Sequence, residues 1–244
     1  MNRYPSRRDL SYAIGPGPLS PAIKALIAAN TAVFVASLIW PVLRVYLGLI
    51  PAAVVEQLWL WQPFTYMFVH AGFTHIVFNM LALWMFGTDL ERMWGTRFFV
   101  RYYFATGLTA AAVTLLIAFV PFGFGYHANT IGASGAVYGL LLAFGLAYPD
   151  RPVYMYLLFP IPARYFVMIL GAITLLLSVT DTGGVAHLAH LGGLAGGYAM
   201  LRGRRVRPVA ETRSWYLRWR ASRLKRKFDV YSGGRDDDWT RRVH

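Results

Sequence analysis

The sequence contains no cysteine among its 244 residues. That absence excludes disulfide staples, thiolate catalysis and cysteine-ligated metal centres. Charge is also scarce, at 14% of residues, where a soluble domain carries roughly 25%. Between residues 25 and 201 there are six basic and five acidic side chains. Apolar residues fill the space: 57% of the chain is hydrophobic and the mean hydropathy is +0.43. They come in blocks long enough to cross a bilayer, which takes about 20 residues per helix. The alternating ten-residue segments of a membrane β-barrel are not the pattern. The expected class is an all-α polytopic membrane protein, and no internal repeat is evident.

The net charge of +13 sits at the two ends. Residues 202–244 hold 14 basic against 5 acidic side chains, and residues 1–24 hold 4 against 1. A soluble nucleic-acid binder spreads its basic residues over a folded face. Basic termini flanking apolar blocks instead read as a topology signal and an attraction to anionic lipid headgroups. The expected partners are therefore a lipid bilayer and other membrane proteins, with no nucleic acid. Residues 1–21 are polar and rich in Pro and Gly, without the apolar core of a cleavable signal peptide. They read as a cytoplasmic segment, and 204–244 as a basic cytoplasmic tail whose Trp215, Trp219 and Trp239 favour the membrane surface.

Six spans are expected, at about 22–43, 73–90, 98–120, 132–149, 163–180 and 185–203. The connections 91–101 and 150–164 carry Arg92, Arg97, Arg101, Arg151 and Arg164, whereas 44–72, 121–131 and 181–184 hold only Arg44. The positive-inside rule then places both termini in the cytoplasm, as in a multi-pass protein of a bacterial inner membrane. The 44–72 connection is too apolar for a solvated loop, and Pro51 and Pro63 break it too often for a span. It is expected to be interfacial, lying partly in the outer leaflet.

Polar side chains inside a bilayer are expensive and mark candidate sites. Four fall near the outer end of spans running inward: His75 and Asn79 in the second, Ser134 in the fourth, His190 in the sixth. At about 1.5 Å per residue, all four lie within roughly 10 Å of the outer surface. His75 and Asn79 are four apart and share a helix face. Ser134 sits in GASGAVYG among Gly132, Gly135 and Gly139, with Tyr138 one turn below to pack under an imidazole. The sixth span reads HLAHLGGLAGG, with Gly192 and Gly196, and Gly193 and Gly197, spaced for close helix contact.

Each feature has a plainer explanation. A serine in a span usually bonds a backbone carbonyl, a glycine-rich helix is usually packing, and a His/Asn pair can be interhelical glue. Their convergence at one depth on three helices favours a site. The soluble hydrolase elbow G-x-S-x-G is not matched, because position 136 is Ala and no strand precedes Ser134. No carboxylate lies near, since Asp89, Glu91 and Asp150 are cytoplasmic and Asp181 is in an outer loop. A Ser–His dyad is expected rather than a triad.

At these residues the sequence resembles the rhomboid family of intramembrane serine proteases. The resemblance is carried by GASG around Ser134, H-x-x-x-N at His75–Asn79 and AHLGGLAGG from Ala189. Gly87-x-x-x-Glu91-x-x-x-Gly95 and His70 add to it, and it covers about residues 22–203. It implies a six-transmembrane-helix rhomboid-like bundle, with the nucleophile on a short fourth helix opened to water from outside. It also implies that 44–72 is a first loop half embedded in the outer leaflet. Where the family often has Trp-Arg in that loop, this chain has Trp61-Gln62.

The implied activity is a serine endopeptidase needing no metal or cofactor. Ser134 is the nucleophile and His190 the base. The Ser134 amide, His75 and Asn79 are the oxyanion donors, beside Gly132, and transmembrane proteins are the substrates. Glu91 is expected to be structural, His187 to line the pocket, and His127 has no assigned role. Two rivals exist. A catalytically inactive rhomboid-like binder is disfavoured by the presence of both Ser and His. A transporter is disfavoured by the lack of inverted repeats or ionisable residues along a path.

Overall fold

The computed structural model describes residues 16–119, 125–155, 159–180 and 184–203. The expectations for 1–15, for the tail 204–244 and for parts of the 121–131, 150–164 and 181–184 connections lie outside the described residues. The first long helix, α1, is Pro21–Ile39. Proline suits its first turn because the missing N–H has no intrahelical acceptor there. The helix stops short of the expected residue 43, just ahead of Pro41, which disfavours helix before it. Its amino end is capped from outside the helix. Glu91 accepts the Ser20 hydroxyl and the amides of Ala22 (3.0 Å) and Ile23 (3.2 Å). A carboxylate there satisfies orphan N–H groups and opposes the positive helix end.

Residues 43–68 form short pieces: α2 (Leu43–Leu47), α3 (Pro51–Glu56), α4 (Gln62–Thr65) and a 3₁₀ turn at Tyr66–Phe68. Gln62 is fully buried beneath them. Its Nε2 donates to the carbonyls of Val45 (3.1 Å) and Tyr46 (3.4 Å), and its Oε1 accepts from the Ile50 amide (2.9 Å). A neutral amide thus does the bonding at the Trp61-Gln62 pair and leaves no charge buried. The chain then turns by 95° into the next helix.

That helix has three sections: α5 (Phe73–Ala82), a π-helical segment (Leu83–Gly87) and α6 (Thr88–Trp94). Gly95, at φ +79°, ends it. The π segment was not expected from the sequence, and π-bulges gather near functional sites. After it come α7 (Thr96–Ala118), α8 (Ser134–Ala147), α9 (Ala163–Thr180) and α10 (Gly184–Gly203). Between α8 and α9 the structure places a small antiparallel hairpin, β1 (Pro152–Met155) with β2 (Phe159–Pro162). The sequence reading had a plain loop there, a difference owed to three prolines that obscure strand periodicity. Among the described residues two helices, α1 and α7, are long and apolar enough to cross a membrane, or three if the bent pair Gln62–Phe68 and Phe73–Trp94 is one span. Helix α8, at 14 residues, is a shorter apolar helix.

The core is a seam between α7, α8 and α10. A Cβ on Gly193 would stand 2.0 Å from the Gly135 carbonyl oxygen, and one on Gly197 would stand 3.3 Å from the Gly139 Cα. These glycines let the α8 and α10 backbones touch. Gly192 and Gly196 meet Val113 and Thr109 on α7 instead. Both glycine pairs read from the sequence are therefore used, against different neighbours. Tyr102 locks the seam by donating its hydroxyl to the Gly139 carbonyl at 2.8 Å. Away from the seam the helices expose large apolar side chains, including Leu38, Ile39, Leu116, Met168, Ile173 and Leu176. A water-facing surface would not carry such a set contiguously.

Candidate active site

Ser134 is the first residue of α8. Its amide has no acceptor inside the helix and lies at the positive end of the helix dipole. Gly132 precedes it at φ +123°, a conformation that L side chains rarely adopt. The Gly132 amide is held by the Tyr66 carbonyl at 2.9 Å, so the first loop fixes the approach to the serine. The Leu49–Thr130 bridge ties the same two loops higher up.

Across the glycine seam, His190 on α10 brings its Nε2 to 2.7 Å from the Ser134 Oγ. With the proton on Nδ1, the serine hydroxyl donates to Nε2. The His190 Nδ1 is buried and has no hydrogen-bond partner among the described residues. The ring is held by stacking instead: the Tyr138 ring lies 4.4 Å away at an interplanar angle of 4°. His187 meets His190 edge-on at 6.0 Å.

His75 closes the opposite side. A Cβ added at Gly132 would fall 2.8 Å from both His75 Cε1 and Nε2, and 3.7 Å from the Ser134 Oγ. The bare glycine is what lets that imidazole approach the serine. The Ala71 amide donates to His75 Nδ1 at 3.3 Å. A neutral His75 bonded this way carries its proton on Nε2, the nitrogen nearest Gly132. Asn79 is buried and donates from Nδ2 to the His75 carbonyl at 2.8 Å. One amide N–H is spent on its own helix and one is left over. His70 packs edge-on to His75 at 5.0 Å.

Thus Ser134, His190, Tyr138, Gly132 and His75 are brought together, with Asn79 one turn along from His75. No group of His, Asp or Glu that could hold a metal ion occurs among the described residues. The sequence does not reveal three parts of this framework: the Ala71 amide, the Tyr66 carbonyl and Thr174 on α9, whose Oγ1 lies 2.9 Å from the Tyr138 hydroxyl. The first two are backbone groups and have no sequence signal. Thr174 had one, as a polar residue in an otherwise apolar stretch.

The model of the Rhomboid domain matches residues 57–205, more than half the chain. This chain belongs to the rhomboid family. Among curated proteins it is 31% identical over 139 residues to Rhomboid protease GluP of Bacillus subtilis, covering 57% of this chain and 25% of that protein. Putative rhomboid protease YdcA of the same organism is 31% identical over 140 residues, covering 57% of this chain and 65% of that protein. Rhomboid protein 1, mitochondrial, of Saccharomyces cerevisiae is 30% identical over 128 residues, covering 52% and 36%. The chain therefore spans from a quarter to about two thirds of the length of these relatives. Rhomboid membership and the exposed apolar helices make this a membrane protein. The matched segment contains every residue of the pocket.

Proposed function

We propose that this rhomboid is an intramembrane serine endopeptidase that cuts other membrane proteins in or near their transmembrane segments. The observation carrying the reading is the 2.7 Å approach of His190 Nε2 to Ser134 Oγ. His190 takes the serine proton as Oγ attacks a substrate carbonyl. The Ser134 amide, His75 Nε2–H and the spare Asn79 N–H stabilise the oxyanion. His190 then protonates the leaving amine, and water hydrolyses the acyl-enzyme. Tyr138 keeps the imidazole in plane, a task a carboxylate performs in a Ser-His-Asp triad.

The membrane placement follows from lengths. At about 1.5 Å per residue, the 14 residues of α8 span roughly 21 Å, some 9 Å short of a hydrocarbon core of about 30 Å. With its carboxyl end at the cytoplasmic face, α8 lifts Ser134 to a point below the outer surface. Water must reach it through a cavity open to that side. Six membrane crossings, cytoplasmic termini and a half-embedded 44–72 loop complete this arrangement, in the inner membrane of a bacterial cell. A substrate helix must unwind there, because helical amides are shielded by their own hydrogen bonds. Segments weakened by Gly or Pro are therefore preferred.

The test is cleavage of a single-span substrate in liposomes. Wild type is expected to cut it, and Ser134→Ala and His190→Ala to leave it intact. Equal cleavage by all three would reject the assignment. Binding of the substrate without cleavage by wild type would favour an inactive rhomboid-like binder.

A further inference from the structure

Thr174 is 2% exposed on α9, a helix whose Met168, Ile169, Ile173, Leu175 and Leu176 face outward. A buried hydroxyl on such a helix calls for an explanation. The plain one is that threonine bonds back to its own helix, and it does: Thr174 Oγ1 lies 2.8 Å from the Leu170 carbonyl oxygen. That bond uses the one proton of the Thr174 hydroxyl. The Tyr138 hydroxyl lies 2.9 Å from the same Oγ1. With its proton on the Leu170 carbonyl, Thr174 Oγ1 is open to accept from the Tyr138 hydroxyl, which gives a relay from Tyr138 to Thr174 to Leu170. The other face of this tyrosine ring is its stack on His190 at 4.4 Å.

We infer that Thr174 is a positioning residue for the reaction, anchoring the Tyr138 ring from α9 so that the ring holds His190 in line with Ser134. The inference rests on the dyad reading above and extends it to a helix that contributes no reacting group. Its physical content is restraint. His190 Nδ1 has no partner among the described residues, so ring stacking is what sets the imidazole plane. The Tyr138 ring can itself rock about its side-chain torsions unless its hydroxyl is tied. The tie runs to α9, so the orientation of the base depends on where α9 lies.

The experiment measures the rate at which a small fluorophosphonate labels Ser134 in the purified full chain, with the thermal unfolding midpoint recorded for each variant. The probe reports on Ser–His activation without requiring a substrate helix to dock. Thr174→Val keeps the shape and removes the hydroxyl, and is expected to label about 2- to 10-fold more slowly, the worth of one hydrogen bond. Thr174→Ser is expected to restore the rate. Tyr138→Phe should slow labelling comparably, and adding Thr174→Val to it should slow it no further. Labelling of Thr174→Val at the wild-type rate, or additive losses in the double variant, would overturn the inference. Should Thr174→Val unfold, Tyr138→Phe decides alone, and an unchanged rate there is equally fatal. Failure of the dyad reading looks different: wild type would not label, or Ser134→Ala would label as fast.

Discussion

Gly132 carries more geometric demand than any other single residue near the pocket. Its φ of +123° disfavours a side chain, its amide is bound to Tyr66, and His75 occupies the place a Cβ would take. Gly132→Ala should therefore cost about 1–3 kcal/mol in strain and push the His75 ring off the serine. The expected outcome is a lower unfolding midpoint together with slower substrate cleavage. Retention of both at wild-type values would show that the loop relaxes freely. Ser134 and His190 stood out in the sequence because polar groups of three spans converge at one depth, and Gly132 because it belongs to the glycine-rich segment around Ser134. The role of Ala71 was not legible there, since a main-chain N–H looks alike at every position.

Among the helices, the most informative join is between α1 and α6. Glu91 serves Ser20, Ala22, Ile23 and, at 2.7 Å, the Thr96 hydroxyl. Two carboxylate oxygens thus meet four donors. Glu91→Gln would replace one oxygen with an NH₂ group facing donors. It should destabilise the chain by about 1–3 kcal/mol, with proteolysis near residues 16–20 appearing first. A variant that melts with wild type and resists protease equally would mean the cap is dispensable. The sequence assigns Glu91 a structural part without naming its partners. The bonds go to α1, about 70 residues away in sequence, a pairing that no local pattern encodes. Helix ends were harder to read than helix centres for a similar reason. Hydropathy continues past Ile39, and only Pro41 marks where that helix stops. The π segment and the hairpin were hidden because each departs from the periods that make helices and strands visible.

For the whole molecule, the absence of cysteine offers a clean test of orientation. Single substitutions Glu56→Cys and Arg97→Cys place one thiol each in an otherwise thiol-free chain. With the basic 91–101 connection inside, a membrane-impermeant maleimide added to intact cells should label Glu56→Cys and reach Arg97→Cys only after permeabilisation. The reverse pattern would invert the proposed topology and turn the pocket toward the cytoplasm. The proposed orientation rests on arginine placement alone, in an interior with few other charges. How the helices are arranged around one another was less readable from the sequence. The two glycine pairs on α10 announced close approach without saying which neighbour each would meet.

The seam at Gly193 and Gly135 has a consequence for how the molecule should fail. Serine and imidazole are carried by different helices whose separation is set by backbone-to-backbone contact, with no side chain in between to act as a cushion. The pair behaves like the jaws of a calliper: a widening of about 1 Å takes the 2.7 Å contact beyond hydrogen-bond reach while nearly all of the packing survives. Mild swelling by a short-chain detergent should therefore silence the protein well before its helices come apart.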